Sequence, residues 1–581
     1  MIFLKDKTHG KWLELCRVKK TCPLHQSLKR LRKGSQKDYY SQTPVKISKM
    51  ILNFKFKNTP GVFPFPVGLF SIRGISLGVA NILMIVLLAS CSSEKEDEII
   101  GEDGNGETSA SLVIDSTTVS KGAVEGNTGT AANADDILTN STFSSTISIA
   151  FGTTVAITNP LAESGVTIAE TNGDVVITST ASEVAYVLSG TTTNGSVKIY
   201  SDKKYKLTLN GVNITNADGP AINLQSGKRA FLVLADNTTN TLADGATYTA
   251  SGTEDMKATL FSEGQLIVSG NGSLSVKGNY KHAICTDEYL RIISGNITVT
   301  SAKSDGIHTN DAFISDGGTV TITTSGDGIQ VEEGYIVINS GTFNINVVDK
   351  GIAASWDTDA TIDPYLTING GTITVNSSAG EGIESKSILT INNGTIVVKT
   401  ADDGLNAGTF IYINGGNIYA YSSSNDGIDS NGKLTVTGGK IVSVGAGSPE
   451  EGFDCDRNTF KITGGILVGI GGATSSPTAS VSTQASVILG GGTANQLVSI
   501  QSNDGAETLT FLIPRTYTTM LFSSPKLKVS TTYKIFTGGS VASGSAFNGL
   551  YTSGTYSGGT QSSTFTTSSM VTKVGGSNGP G

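Results

Sequence analysis

Short runs of alternating apolar and polar residues recur through the middle of the chain, and two motifs punctuate them. The first motif is an acidic residue, a glycine and a large apolar residue, as in Asp403-Gly404-Leu405. From Gly306 to Gly452 its glycines follow one another at intervals of 22, 23, 31, 22, 23 and 25 residues, with Lys350 replacing the acidic residue once. The second motif, Gly-Gly-x-apolar-x-apolar, follows each time, as in Gly370-Gly371-Thr372-Ile373-Thr374-Val375.

A repeat of this length with several short strands predicts an all-β chain folded as a parallel β-helix, a solenoid with coils of 22–23 residues. Successive coils stack at the interstrand distance of about 4.8 Å, and glycine permits tight corners. The Leu-x-x-Leu-x-Leu pattern of leucine-rich repeats is missing, and a β-propeller blade needs about 40 residues. The sequence therefore favours the β-helix over both.

Alternation in the first strand of each coil separates inward from outward side chains. If Ile307 points inward, the residue two positions later does too. On the last coil Phe453 is the equivalent of Ile307, so the same rule places Cys455 in the core. The intervening positions form an outward row, which we call the ladder: Cys285, His308, Gln330, Ala353, Glu384, Asn406, Asp429 and Asp454. The ladder becomes acidic toward its C-terminal end.

Composition and charge divide the chain further. We predict a basic extension with a signal peptide over residues 1–90 and an acidic flexible linker over residues 91–130. The β-helix then covers residues 131–475, and a β-rich cap and tail covers residues 476–581, where the repeat stops.

Residues around Cys91 resemble a lipoprotein signal. Arg73 precedes an apolar run over residues 75–88, and Leu88-Ala89-Ser90-Cys91 follows. The run is short for a membrane-spanning helix, which is the alternative reading. We expect lipidation of Cys91 and an exported outer-membrane lipoprotein, exposed at the surface and held to the membrane by that lipid. Because the leader is long, Met50 is an alternative start to Met1.

Net charge restricts the partners. Residues 1–60 carry +12, while the whole chain carries −8, so residues 61–581 carry −20. Without Arg73, the part after residue 90 carries −21. A body this acidic repels the phosphates of nucleic acids and favours cations. We expect a monomer that does not bind nucleic acid.

Acidic residues that recur once per coil must lie close together. Two carboxylates about 4.8 Å apart repel by roughly 3 kcal/mol at an effective dielectric constant near 20, and a cation offsets this. Ca²⁺ prefers such carboxylate and amide oxygens. Three overlapping clusters supply candidate ligands: Glu381, Asp402, Asp403, Asn406, Asn425, Asp426, Asp429, Glu450, Glu451 and Asp454. The middle cluster, Asn425, Asp426 and Asp429 with Asp403 one coil earlier, is favoured over a solvated acidic turn.

Catalytic motifs are harder to find. The sequence contains no Gly-x-Ser-x-Gly and no His-Glu-x-x-His, and His282 and His308 on neighbouring coils have no evident nucleophile beside them. Paired acidic residues are so frequent that no two-carboxylate glycosidase site can be singled out. Trp356 lies in the insertion of the 31-residue coil, where it either stacks on a sugar ring or packs the loop against the coil.

Taken together, these motifs resemble a bacterial carbohydrate-binding family of right-handed parallel β-helices. The resemblance rests on the two repeat motifs, on Leu207-Thr208-Leu209-Asn210-Gly211-Val212, and on Ser523-Ser524-Pro525 with Gly538-Gly539. It implies calcium-loaded proteins that bind acidic polysaccharides such as polygalacturonate, and also cellulose.

The Asp-Asp-Gly-x-Asn sequence is also similar to the calcium site of a pectate lyase family, which would fall on Glu381, Asp402, Asp403 and Asn406. Glu and Asn stand at two of these four positions where the lyase family has Asp. The lyase's lysine base has no clear counterpart, since Lys433 and Lys440 are only nearby.

The sequence is therefore compatible with three functions. The first is calcium-dependent polysaccharide binding without catalysis, through the ladder residues Glu384, Asn406 and Asp429 and through Trp356. The second is a polysaccharide lyase, in which calcium acidifies a proton beside a uronate and a lysine removes it. The third is a surface adhesin or spacer. A lysine or arginine within reach of a calcium cluster would favour the lyase.

Overall fold

The structure is a computed structural model that describes residues 2–5, 12–15 and 107–579. Contacts divide the chain into two units, Met1–Glu94 and Lys95–Gly581. In the first unit, strands Ile2–Lys5 and Trp12–Leu15 pair antiparallel. The predicted signal peptide and the lipidation site at Cys91 lie outside the described residues.

A parallel β-solenoid forms the body of the second unit, and each regular coil contributes one short strand to each of three faces. The first face is a 13-stranded sheet, parallel except for its first pair, and it carries the ladder. Its strands are Val166–Thr171, Asp174–Ser179, Ser196–Ser201, Ile222–Leu224, Ala258–Ser262, His282–Thr286, Ile307–Thr309, Ile329–Val331, Ile352–Ala354, Ile383–Ser385, Leu405–Ala407, Ile428–Ser430 and Phe453–Asp454.

The other two faces share one continuous sheet. Strands Val184–Thr192 and Tyr205–Thr215 run through both faces in the first coils, after Ser145–Phe151 and Ala156–Thr158. The second face then consists of Ala230–Leu234, Leu266–Gly270, Tyr289–Ile292, Ala312–Ser315, Tyr335–Ile338, Tyr365–Ile368, Ile388–Ile391, Phe410–Ile413, Lys433–Val436 and Phe460–Ile462. The third consists of Thr239–Ala243, Ser273–Gly278, Asn296–Ala302, Thr319–Thr324, Thr342–Val347, Thr372–Ser377, Thr395–Thr400, Asn417–Ser422, Lys440–Val444 and Ile466–Gly471.

These strands confirm the predicted all-β solenoid and its period. The inward residue after each motif glycine stacks on its equivalent, for example Leu405 on Ile428 and Ile428 on Phe453. All three are fully buried in one continuous apolar core, and Cys455 is buried with them as predicted. Burial of this aliphatic column is the main favourable contribution to folding.

Glycines have two separate roles in the coil. The second glycine of each Gly-Gly pair, such as Gly371 with φ of +92°, adopts a backbone conformation that side chains disfavour. The glycine after the acidic residue has no positive φ. A Cβ on Gly404 would instead lie 2.4 Å from the carbonyl oxygen of Gly427, so that glycine permits close stacking of coils.

Additional sheet closes the C-terminal end. Strand Thr519–Ser523 pairs antiparallel with Ile466–Gly471 of the last coil and with Ser486–Leu489, which also pairs with Val571–Lys573. A further seven-stranded sheet contains Leu112–Asp115, Leu497–Ser502, Glu507–Leu512, Thr532–Thr537, Ser540–Phe547, Leu550–Ser557 and Thr560–Thr566. A solenoid needs such a cap because its last coil otherwise exposes the core.

Residues 107–136, which we call the strap, run back along the solenoid from this cap. Stacked asparagines on successive coils each donate to one strap carbonyl, with Asn369 reaching Gly129 at 3.0 Å and Asn392 reaching Asn127 at 2.8 Å. The strap ends at the 3-10 turn Ala134–Asp136, and a second 3-10 turn, Leu138–Asn140, follows it. Residues 107–130 are thus held in place, which differs from the flexible linker predicted for residues 91–130.

None of the helices within residues 107–579 has the length and apolar character needed to cross a bilayer.

Candidate functional site

The ladder has the register that alternation predicts. Its members pair coil by coil as Cys285, His308, Gln330, Ala353, Glu384, Asn406, Asp429 and Asp454. A ladder side chain that points outward from its strand can still be buried, however. Cys285 is buried beside Ala258 and Phe261, and Glu384 is 2 % exposed between two lysines.

The aspartates of the acidic-glycine-apolar motif have a structural task, because one oxygen of each accepts the backbone N–H of the equivalent residue on the next coil. Asp305 accepts from Asp327 at 3.1 Å, and Asp403 accepts from Asp426 at 3.0 Å. Asp426 in turn accepts from Glu451. This pairing satisfies a backbone donor and leaves the second carboxylate oxygen available for other partners.

Three carboxylates of the middle predicted cluster come together. Ligand oxygens of Asp403, Asp426 and Asp429 all lie within 4.8 Å of one another. Asn406 lies between them and donates to Asp403 and to Asp429, at 2.9 Å in both cases. We call Asp403, Asp426 and Asp429 the acidic corner.

Burial is the largest cause that makes ionisation of the acidic corner unfavourable, and neighbouring carboxylates add to it. They raise the pKa of Asp403 to about 7, that of Asp429 to about 8 and that of Asp426 to about 9. At neutral pH and without a cation, Asp429 and Asp426 are therefore mostly protonated and Asp403 is about half protonated. The three carboxylates supply the oxygen ligands that Ca²⁺ prefers, while Asn406 faces them with its NH2 group.

The first predicted cluster is not a single group. Glu381 forms an ion pair with Lys350, at 3.5 Å, and Asp402 accepts a hydrogen bond of 2.6 Å from Asn425. The structure thus directs Asn425 toward Asp402 instead of toward Asp426. Only Asp403 and its hydrogen-bond partner Asn406 remain with the acidic corner.

The third predicted cluster is also divided. Burial raises the pKa of Glu451 to about 8, and its side chain lies against Gly579 of the C-terminal segment. Asp454 accepts a hydrogen bond of 3.0 Å from the hydroxyl of Ser475. Glu450 is partly exposed, and burial followed by Asp454 raises its pKa.

Trp356 lies on the wall of a cavity of about 400 Å³ on the ladder face. Its side chain is 42 % exposed, so the loop does not bury it. Lys350 and Lys386 line the same cavity, and both form ion pairs with Glu384. The exposed indole and the charged side chains give this cavity both an apolar and a polar wall.

Lys350 does not have the environment of a general base. Burial acts to lower the pKa of Lys350, but Glu384 and Glu381 outweigh it and raise that pKa above its ordinary value. Lys433 and Lys440 lie on the second and third faces, away from the ladder.

Sequence reasoning missed the two lysines of the cavity. The replacement of the acidic residue by Lys350 in the motif is the signal that would have found one of them. It also missed a second convergent group: within the described part of the chain, two sets of three ligand-bearing side chains lie within 4.8 Å, the acidic corner and the set His282, Asp305 and His308.

The fold and this surface define a β-solenoid with a charged face. The family model of carbohydrate-binding domain-containing proteins matches residues 171–427 and 366–564. Together the matches span more than half of the chain, which therefore belongs to this family. Membership supports polysaccharide binding in general.

A carbohydrate-binding domain-containing protein of Acetivibrio thermocellus is 36 % identical over 118 residues, which are 20 % of this chain and 41 % of the relative. The match thus spans about two fifths of the relative's length. A solved structure of a polysaccharide lyase-like protein from C. thermocellum, a gadolinium derivative, is 26 % identical with a TM-score of 0.36. It covers 46 % of this chain and 96 % of that one.

Proposed function

We propose that this protein binds an acidic polysaccharide, such as polygalacturonate, through calcium held at the acidic corner. The observation that carries the proposal is the convergence of Asp403, Asp426 and Asp429 within 4.8 Å. Three carboxylates held this close cannot all ionise at neutral pH without a compensating cation. The set contains only oxygen donors, which fits calcium.

Calcium also provides a link to the polymer. The chain after residue 90 carries −21, so a uronate polymer would be repelled without a bridging cation. Coordination by three protein carboxylates leaves positions for sugar oxygens, because Ca²⁺ takes about 6–8 ligands. Trp356 supplies an apolar ring surface on the same face, and Lys350 and Lys386 supply positive charge beside it.

The proposed location is the outer membrane, through a lipid on Cys91. It rests on the sequence around Cys91 alone.

Binding is tested with the full chain and immobilised polygalacturonate, with calcium and again after chelation. We expect retention with calcium and release by chelator. Retention that is unchanged in chelator would contradict calcium bridging, and no retention in either condition would favour an adhesin or spacer. Ultraviolet absorbance of unsaturated uronates in the supernatant would instead assign the protein to the lyases.

A further inference from the structure

A second group of side chains occupies the same three positions of the coil as the acidic corner, but two of its members are histidines. The acidic corner consists of two corner residues on adjacent coils, Asp403 and Asp426, and the ladder residue Asp429 of the later coil. His282 and Asp305 occupy the same two corner positions, each two residues before the paired Ile284 and Ile307.

His308 completes the set as the ladder residue that follows Ile307. The two sets lie five coils apart, or roughly 24 Å at about 4.8 Å per coil. They are therefore separate sites on one face, built from the same three positions.

The side chains of this second set surround one oxygen atom. Oδ2 of Asp305 lies 3.0 Å from Nδ1 of His282 and 3.0 Å from Nδ1 of His308. Oδ1 of Asp305 accepts the backbone N–H of Asp327, so the carboxylate is fixed with Oδ2 toward the two imidazoles. Two ligands of a tetrahedral zinc ion, each about 2.0–2.1 Å from it, lie about 3.3–3.4 Å apart, so these atoms need to separate by only a few tenths of an ångström.

His308 has a second partner on its other nitrogen. Its Nε2 lies 3.3 Å from Oε2 of Glu332, one coil further on. A carboxylate on the distal nitrogen is the usual arrangement for a metal-bound histidine, because it fixes the tautomer and the direction of the ring. Glu332 is well placed for this task.

His282 directs Nδ1, and not Nε2, toward Asp305. It is 1 % exposed, and its Nε2 has no hydrogen-bond partner. Its Nδ1 faces both the backbone N–H of Asp305, at 3.3 Å, and Oδ2 of the same residue. If Nδ1 is unprotonated, its single lone pair meets a carboxylate oxygen at 3.0 Å, and a cation between the two atoms would relieve that repulsion by taking the lone pair in place of the N–H.

We propose that Nδ1 of His282, Oδ2 of Asp305 and Nδ1 of His308 bind a divalent transition metal of the zinc class. Two imidazoles and one carboxylate suit zinc and its neighbours, whereas calcium prefers oxygen ligands throughout. Three protein ligands leave one position of a tetrahedral site open. Asp305 and His308 line the cavity that contains Trp356, so that open position adjoins it.

The test uses the full chain after chelation, titrated with Zn²⁺ and, as a spectroscopic probe, with Co²⁺. We expect a visible cobalt d–d band that Zn²⁺ abolishes and that a large excess of Ca²⁺ leaves unchanged. Glu332→Gln should weaken zinc binding by roughly 10–100-fold through loss of the orienting carboxylate. His308→Gln should weaken it more, and circular dichroism checks that both variants fold.

A variant with Asn at Asp403, Asp426 and Asp429 is the matched control, and it should bind zinc as the unmodified chain does. The proposal is overturned if cobalt gives no d–d band, or if His308→Gln binds zinc normally. It is equally overturned by a cobalt–thiolate charge-transfer band, since that would place the metal on cysteines.

Discussion

The backbone N–H of Asp426 donates a hydrogen bond of 3.0 Å to Oδ1 of Asp403, which occupies the same corner one coil earlier. This bond joins two coils and at the same time brings two buried carboxylates together. An aspartate at this corner therefore stabilises the fold through one carboxylate oxygen, and its other oxygen can bind a ligand. Removing the charge while keeping the acceptor separates the two roles.

Replacing Asp403, Asp426 and Asp429 together by Asn should abolish stabilisation by calcium but preserve the fold, because an amide oxygen still accepts the N–H. For the unmodified chain, calcium at 100 times its dissociation constant should add about 2.7 kcal/mol to the free energy of unfolding. Thermal unfolding with and without calcium measures this. Exposed Asp202→Asn is the matched control and should respond to calcium normally; a calcium response in the triple variant would contradict the assignment.

The calcium-free protein should lose stability as pH rises. The raised pKa values of Asp403, Asp429 and Asp426, about 7, 8 and 9, exceed the usual 3.8 for aspartate. The folded state therefore holds protons that the unfolded state has released, and this stabilisation is lost as pH rises through the folded pKa values. Chelated protein should melt at a lower temperature at pH 8 than at about pH 5.

Calcium should reduce that difference, because it replaces the protons with a bound cation. A melting temperature in chelator that rises between these two pH values would show that the carboxylates are ionised without calcium.

Trp356→Ala should weaken binding to polygalacturonate by roughly 0.5–1.5 kcal/mol, a value on the scale of aromatic ring contacts. The side chain is 42 % exposed, so stability should change little. Affinity electrophoresis with polygalacturonate in the gel measures the loss. Tyr551→Ala on the C-terminal sheet is the control, and equal losses in both variants would show that Trp356 has no specific role.

Asp136→Ala should destabilise the protein by about 3 kcal/mol, because it leaves buried charges without their partner. The Asp136 carboxylate is buried and lies 2.9 Å from Arg229, 3.4 Å from Arg291 and 2.6 Å from the hydroxyl of Tyr289. Denaturant unfolding measures the change. Asp135→Ala, an exposed neighbour, should have almost no effect; similar values for both would mean that the strap does not stabilise the solenoid.

Cys91→Ala should release the protein from the membrane fraction, because lipidation needs the thiol. Mass spectrometry of the mature protein should find Cys91 as the first residue with acyl chains attached. A variant that stays with the membrane would contradict the lipoprotein prediction.

Local pattern was sufficient to predict the coil, its period and the ladder. A strand has a side-chain period of two, and the stacking of Leu405, Ile428 and Phe453 fixes the register of every coil. A single sequence therefore places Asn406 beside Asp429 and predicts that Asp403 and Asp426 are neighbours. These relationships connect residues one repeat apart, which repetition makes visible.

Only the tertiary structure shows which ion-pair or hydrogen-bond partner each acidic residue has. Glu381 pairs with Lys350 and Asp402 with Asn425, and these contacts leave three of the predicted ligands together. Side-chain direction and burial select among acidic residues that look equivalent in sequence. The strap is likewise invisible in the sequence, because it depends on contacts such as Asn369 with Gly129, 240 residues away. No local period relates such positions, so only the folded chain brings them together.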